Sequence, residues 1–298
     1  MTRAAHPSIA VVGPGAIGTT VAAALHEVGR APLLFGRTAR DHLELDDGSG
    51  TVMVPGPVVT DPALVDGPVD VVFLAVKATQ TEAAAPWLAA LCRPDTVVCV
   101  LQNGVEQEST VAPLVPGSPV VPSVVWFPAQ VQPDASVWLR GEPRLTMPDS
   151  AASRIVAAAL LDTRCDVDLV ADFTSAAWRK LLQNATASLM VLTGRRAGMF
   201  VRPDMVELTS AYLQEGLAVA RAEGAALADT VPRDIIEMFQ EAPSDRGTSI
   251  LADRQANRPL EWSIRNGVIS RRGRLHGIAT PIADLVTTLL AAAGEGPG

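Results

Sequence analysis

The sequence predicts an α/β protein: a doubly wound parallel sheet in the first half, then an all-helical domain. Two observations set the first half. Strand-like and helix-like segments alternate from the N-terminus to about residue 114, and two of the strands are near-continuous apolar runs, the pattern of strands covered on both faces. The second half is set by a change of period. Past about residue 171 strand signals nearly vanish and helical spacing takes over.

Residues 8–12 are the first expected strand, short, apolar and ending at glycine. Residues 16–28 carry small apolar residues at helical spacing, and Gly29 punctuates their end. Residues 31–35 are a second strand, 69–76 a buried one, 81–91 a helix, 96–101 another buried strand, and 103–114 a loop followed by a helix. Residues 120–128, 136–140 and 144–147 read as further strands separated by Pro, Asp and Gly, and 151–161 as a helix. Helices are then expected over 174–192, 205–224, 233–239, 248–256, 261–271 and 282–293. This places a domain boundary at residue 172, giving domains 1–172 and 173–298, with no internal repeat and a GEGPG tail expected to fray.

Composition narrows the class. A length of 298 residues suits one large domain or two ordinary ones. Hydrophobic residues at 48% and charged residues at 19% exclude intrinsic disorder. Cys92, Cys99 and Cys165 form no CxxC or Cys/His cluster, which argues against a disulfide framework or a metal site and fits the reducing cytoplasm. With 24 basic and 32 acidic residues the net charge is −8, which argues against a nucleic-acid partner. No window approaches ~18 uninterrupted apolar residues, so no membrane span is expected, and the start MTRAAHPSIAVVGPG reads as a first strand rather than a targeting segment.

Gly13-Pro14-Gly15-Ala16-Ile17-Gly18 is a G-x-G-x-x-G directly after a strand and directly before a helix. Gly13 permits the tight turn, Gly15 lets a pyrophosphate approach the backbone, and Gly18 lets the helix pack closely on the sheet. The helix N-terminus offers free N–H groups to the phosphates. This is the Rossmann-type arrangement for a dinucleotide. The second strand ends in Arg37 rather than in Asp or Glu, so a 2′-phosphate, and hence NADP(H), is expected over NAD(H).

Lys77 follows the buried strand 69–76, with Gln80 three residues on, and Asn103 follows the strand 96–101. The carboxyl ends of parallel strands are where ligands bind in such sheets. By spacing alone, Lys77 suits either a cofactor ribose or phosphate or a surface position, and Asn103 suits either a nicotinamide and substrate or a plain Asn-Gly turn. In the helical half Lys180, Asn184 and Ser188 are spaced i, i+4, i+8 beside apolar Leu181, Leu182 and Leu189. That is either a small polar site or an exposed polar stripe. Ser249 and Glu261 flank a stretch with Asp253 and Arg254, and alone these read as ordinary surface residues.

Taken together, these motifs resemble the ketopantoate reductases (2-dehydropantoate 2-reductases) over nearly the whole chain. The resemblance rests on the 13–18 loop, Val76-Lys77-Ala78-Thr79-Gln80, Gln102-Asn103-Gly104-Val105, Trp178-Arg179-Lys180-Leu181 with Asn184, and Thr248-Ser249-Ile250-Leu251-Ala252-Asp253 through Glu261 and Asn266-Gly267, in the family's order and spacing. It implies an NADPH-dependent reduction of 2-dehydropantoate to pantoate on the route to coenzyme A. Gly13, Pro14, Gly15, Ala16, Ile17 and Gly18 would hold the pyrophosphate and Arg37 the 2′-phosphate. Lys77 and Gln80 would contact the cofactor, and Asn103 would stand between nicotinamide and substrate. Lys180 would be the general acid; Asn184, Ser249 and Glu261 would hold the keto acid.

The site is then expected in the cleft between the domains. A homodimer through the helical half is a further expectation, though no stripe of the sequence marks its face. Two positions depart from the family pattern: Ser188 where many members have a second Asn, and Trp262 after the glutamate. Two alternatives remain at this point. A reductase of another keto acid, ketone or imine would keep the same machinery. A non-catalytic NADP(H) sensor would need only the phosphate loop, and the joint presence of Lys180, Asn184, Ser249 and Glu261 speaks against it.

Overall fold

A computed structural model describes residues 7–295. The chain divides into two compact units. One holds the chain up to Gln102 together with Glu106–Phe173; the other holds Asn103–Val105 and the chain from Thr174 on.

In chain order the first unit contains β1 (Ile9–Val12), α1 (Ala16–Glu27), β2 (Leu33–Phe35), β3 (His42–Asp46), β4 (Thr51–Pro55), β5 (Val58–Val59) and β6 (Val71–Leu74). It continues with α2 (Ala85–Leu91), β7 (Val97–Val100), α3 (Gln107–Val111), β8 (Val120–Pro122), β9 (Val124–Val125) and β10 (Ala129–Val131). It ends with β11 (Val137–Leu139), β12 (Arg144–Pro148), α4 (Ala151–Ala159) and β13 (Asp166–Val170).

A six-stranded sheet runs β5-β2-β1-β6-β7-β8, parallel throughout. Counted along the chain, its strands lie in the order 3-2-1-4-5-6, the doubly wound order whose switch point falls beside the first strand. β1, β6 and β7 are buried along their whole length, as their apolar runs require. The loops leaving β1 and β6 therefore open at the switch point.

Two further sheets were not anticipated. β10-β11-β3-β4 forms a four-stranded sheet and β13-β12-β9 a three-stranded one. The first explains the composition of α1, which packs against β3, β4, β10 and β11 as well as β1. A helix covered on opposite sides needs small residues all round. Ala22, Ala23 and Ala24 are fully buried, and buried Thr19 and Thr20 return their hydroxyls to the carbonyls of Pro14 and Ala16. At its far end Arg164 donates to Glu27 at 2.6 Å and also to Asp47, tying α1 to the β3–β4 turn.

Two expected elements are divided in this unit. The helix over 81–91 begins as 3-10 turns and becomes α-helical only in α2, with Pro86 in the first turn, where its missing N–H is tolerated. The strand over 120–128 is cut at Pro122, which cannot donate to a ladder; Ser123 turns its hydroxyl onto the Val100 carbonyl and the chain changes sheets.

The second unit is helical: α5 (Phe173–Ala187), α6 (Leu189–Thr193), α7 (Pro203–Ala222), α8 (Val231–Glu241), α9 (Ser249–Gln255), α10 (Val268–Leu275) and α11 (Pro281–Gly294). The expected helix over 174–192 breaks at Ser188. Its hydroxyl takes the Asn184 carbonyl at 3.0 Å, competing with the backbone ladder, and this back-bonding bends helices. Ser188 is fully buried, so the polar stripe ends at Asn184. The expected helix over 261–271 begins as a wide π turn, Ser263–Gly267, and tightens into α10. Asn266, fully buried, donates to the Ala185 carbonyl at 3.2 Å and the Tyr212 hydroxyl at 2.8 Å, locking the π turn to α5 and α7. Glu215 caps α11 by accepting from the Ile282 and Ala283 N–H groups. Of the tail expected to fray, Gly294 closes α11, while residues 296–298 lie outside the described residues.

Candidate active site

In the first unit the 13–18 loop joins β1 to α1, and each glycine has a separate physical reason. Gly13 has φ +89°, and a Cβ there would stand 2.6 Å from Val76 Cγ1 and 2.8 Å from the Val76 backbone nitrogen. A Cβ on Gly18 would meet the Gly13 carbonyl oxygen at 2.4 Å. A Cβ on Gly15 would meet nothing within 4 Å. Gly13 and Gly18 are thus held by the protein itself, while Gly15 faces open space at the helix N-terminus. The first turn of α1 carries no acidic residue to compete for its N–H groups. These features fit a diphosphate.

The Gly13 N–H donates to the Phe35 carbonyl at 2.8 Å, and a Cβ on Gly36 would stand 2.9 Å from Pro14. The end of β2 is therefore pressed against the loop, which brings exposed Arg37 beside it. Thr38, Ala39, Arg40 and Asp41 continue into an open concavity of about 380 Å³. Lys77, half-buried, leaves β6 just after Val76, the residue Gly13 touches, and Gln80 ends the 3-10 turn that follows.

The Gln102-Asn103-Gly104 motif has two separate duties. Gln102 is buried in the first unit, where its amide donates to the Val76 carbonyl at 3.1 Å and to Thr81 at 2.9 Å. Asn103 belongs to the helical unit. Gly104, at φ +108°, makes that turn, and a Cβ there would press on Ile264 at 3.4 Å.

In the helical unit four predicted residues form one polar chain. Asn184 donates to Asn103 Oδ1 at 3.1 Å, and Asn103 Nδ2 donates to Glu261 Oε2 at 3.4 Å. Arg265 Nη2 lies 3.5 Å from the same Oε2 and donates to Ser249 Oγ at 3.1 Å. Glu261 and Arg265 are 6% and 3% exposed, so the charges are compensated inside the protein. Lys180 stands half-buried one helical turn before Asn184.

Arg265 was missed by the sequence reading. Its signal was an arginine four residues after Glu261 in an otherwise helical run, since arginine is almost never fully buried unless paired. Asp253, read as a surface residue, is buried and paired with Arg258 at 3.0 Å. Trp262 packs its ring near Gly267 and Gly294, on the helical core, and Ser188 bonds its own helix, so both departures from the family pattern serve packing. Burial pushes the Cys92 thiol up to about 11 and those of Cys99 and Cys165 up to about 12, so none is a ready nucleophile. Among the described residues no cluster of His, Cys, Asp and Glu could hold a metal ion, and no helix is long and apolar enough to cross a membrane.

Comparison with known proteins bears on the same two units. A family profile described as Ketopantoate reductase PanE/ApbA matches residues 9–152, and its C-terminal counterpart matches residues 172–294. A Mycobacterium tuberculosis protein called 2-dehydropantoate 2-reductase is 56% identical over 291 residues, 97% of this chain and 99% of that one. The chain belongs to the ketopantoate reductase family. It is thereby an oxidoreductase. A Caulobacter vibrioides family member of the same name is 35% identical over 96% of this chain and 99% of its own. The dimeric ketopantoate reductase of Staphylococcus aureus superposes with a TM-score of 0.88 at 29% identity, covering 98% of this chain and 100% of its own.

Proposed function

We propose that this chain reduces 2-dehydropantoate to (R)-pantoate with NADPH, with Lys180 as the general acid. The observation that carries this reading is the polar chain Ser249–Arg265–Glu261–Asn103–Asn184, with Lys180 one turn from its end. In this reading the 13–18 loop holds the pyrophosphate, Arg37 the 2′-phosphate, and Lys77 and Gln80 contact the cofactor. When bound, the reduced nicotinamide supplies a hydride to the ketone carbon. As negative charge builds on the ketone oxygen, the Lys180 ammonium stabilises it and hands it a proton. Asn103 and Asn184 fix the ketone beside that ammonium, Ser249 donates to the substrate carboxylate, and Glu261 accepts from the substrate hydroxyl. The keto acid and the cofactor are both anions, so a few placed cations in an acidic protein do the recognition.

Addition of 2-dehydropantoate to the purified protein is expected to oxidise NADPH, followed at its absorbance band. A panel of 2-keto acids run beside it reports the preference, and absence of turnover with 2-dehydropantoate overturns the proposal. Arg37→Ala is expected to weaken NADPH by roughly tenfold or more and NADH by less than about threefold, because only NADPH loses a charge-assisted bond. Equal losses, measured by fluorescence titration, would remove Arg37 from the 2′-phosphate. The reading also includes a cytoplasmic homodimer on the route to coenzyme A, supported by unpaired cysteines and by the dimeric S. aureus relative.

A further inference from the structure

We propose that Gln102 is a positioning residue that releases Asn103 from the parallel sheet and holds it in register with Lys77, and so sets the alignment for hydride transfer, a role that rests on the function proposed above.

β6 and β7 are parallel neighbours. Backbone bonds of 2.9 Å join the Val97 N–H to the Asp70 carbonyl and the Leu101 N–H to the Leu74 carbonyl. The same offset assigns the next rung to the Asn103 N–H and the Val76 carbonyl. The Val76 carbonyl instead accepts from the Gln102 side-chain amide at 3.1 Å. It therefore keeps a donor at the end of the sheet, and the chain can turn away at Asn103.

Gln102 is pinned at two further points. Its amide also donates to Thr81 Oγ1 at 2.9 Å, and the Thr81 hydroxyl donates in turn to the Ala78 carbonyl at 3.0 Å. Its own carbonyl, in the peptide unit it shares with Asn103, accepts from Gln107 Nε2 at 3.0 Å. Gln102, Thr81 and Gln107 are 5%, 2% and 5% exposed, so each bond is costly to leave half-made. Beyond this neck the helical unit grips the chain. Asn103 is bonded to Asn184 and Glu261, Gly104 lies against Ile264, and Val105 packs on the helical core.

One side chain is thus joined by a hydrogen bond to the carbonyl just before Lys77, and by a peptide bond to Asn103. On the proposed function Lys77 contacts the cofactor, while Asn103 stands between nicotinamide and keto acid. Gln102 fixes the two against each other. Reaction rates are sensitive to such alignment, and a shift of about 1 Å costs up to roughly 100-fold. A side chain of similar length without the amide removes the substitute rung. The Asn103 N–H is then the donor in register with the Val76 carbonyl, and the chain is drawn back towards the ladder.

The test uses the full chain. Gln102→Met, Gln102→Glu, Gln107→Met, Asn103→Ala and the double variant Gln102→Met/Asn103→Ala are compared with wild type. Four quantities are read: NADPH affinity by fluorescence titration, the melting temperature, the single-turnover rate of NADPH oxidation by 2-dehydropantoate, and the isotope effect on kcat with NADPH deuterated at the transferred position. In Gln102→Met the single-turnover rate is expected to fall by about 10- to 100-fold, with NADPH affinity within about threefold of wild type. The isotope effect on kcat should rise to that of the single turnover, because hydride transfer then limits the cycle. Gln102→Glu should be no faster, since a carboxylate has no hydrogen for the Val76 carbonyl. Once Asn103 is replaced by Ala, Gln102→Met should add less than about a twofold further loss, because it acts through that residue.

A wild-type single-turnover rate in Gln102→Met would overturn the proposal, as would recovery of that rate in Gln102→Glu. Losses that multiply in the double variant would also overturn it. So would a rate that falls only in step with NADPH affinity and melting temperature, the mark of a purely structural residue. If Gln102→Met does not fold, Gln107→Met, which loosens the same peptide unit, carries the same comparison. Wild-type protein that leaves NADPH unoxidised with 2-dehydropantoate is a separate result, read before any variant, and it sinks the proposed function and this role with it.

Discussion

Lys180→Ala is expected to lower kcat for 2-dehydropantoate by roughly 10²- to 10⁴-fold, the range for losing a positioned general acid. NADPH affinity should stay within about threefold, because Lys180 lies on α5 of the helical unit and the 13–18 loop belongs to the other unit. The fold should tolerate the change. Lys180 is half-buried, and Leu181 and Leu182 beside it, not Lys180, belong to the packed core of α5. Stopped-flow measurement of the first turnover separates the effect from product release. Wild-type turnover in Lys180→Ala would remove the residue from the mechanism and leave the proton to another donor.

The second large effect is expected from a pair of glycines three residues apart. Gly15→Val puts its side chain into open space, so the protein should fold. Valine is a poorer helix cap than glycine, which should lower the melting temperature by only about 2–4 °C. NADPH and NADH should both lose about 100-fold or more in affinity, because the added methyl groups occupy the place of a diphosphate. Gly18→Val is the opposite case. Its Cβ would stand 2.4 Å from the Gly13 carbonyl oxygen and 3.1 Å from Ala75 Cβ and Val11 Cγ1, so α1 must move off the sheet. Overpacking of this kind costs about 1–3 kcal/mol or more, and it should appear first in thermal melts. Wild-type nucleotide binding in Gly15→Val would place the diphosphate elsewhere.

The sequence reading succeeded where the deciding forces are local. Apolar runs foretold β6 and β7, and the glycine spacing foretold the β1–α1 turn, because each depends on neighbours within a few residues. The segment 36–68 received no strands, although Leu43 and Leu45 alternate inward in β3. That sheet is completed by β11, some ninety residues on, and no local pattern announces such a partner. The site divides in the same way. The spacing put Lys180 and Asn184 on one face. Asn103 meets Asn184 across 81 residues and Glu261 across 158, and only the family resemblance suggested that these residues belong together. Arg265 was within reach of an i, i+4 reading from Glu261 and was overlooked because an arginine there reads as solvated surface.

The brief crossing of Asn103–Val105 into the helical unit has a consequence for engineering. Cut at residue 173, the protein yields a helical piece with Lys180, Asn184, Ser249, Glu261 and Arg265, but without the amide that bonds both Asn184 and Glu261. A chimera that borrows its nucleotide-binding half from a relative would import that relative's amide as well. On the proposed function, cofactor choice and keto acid choice are therefore not cleanly separable cassettes: recombination at the obvious seam would exchange one whole preference and a fragment of the other.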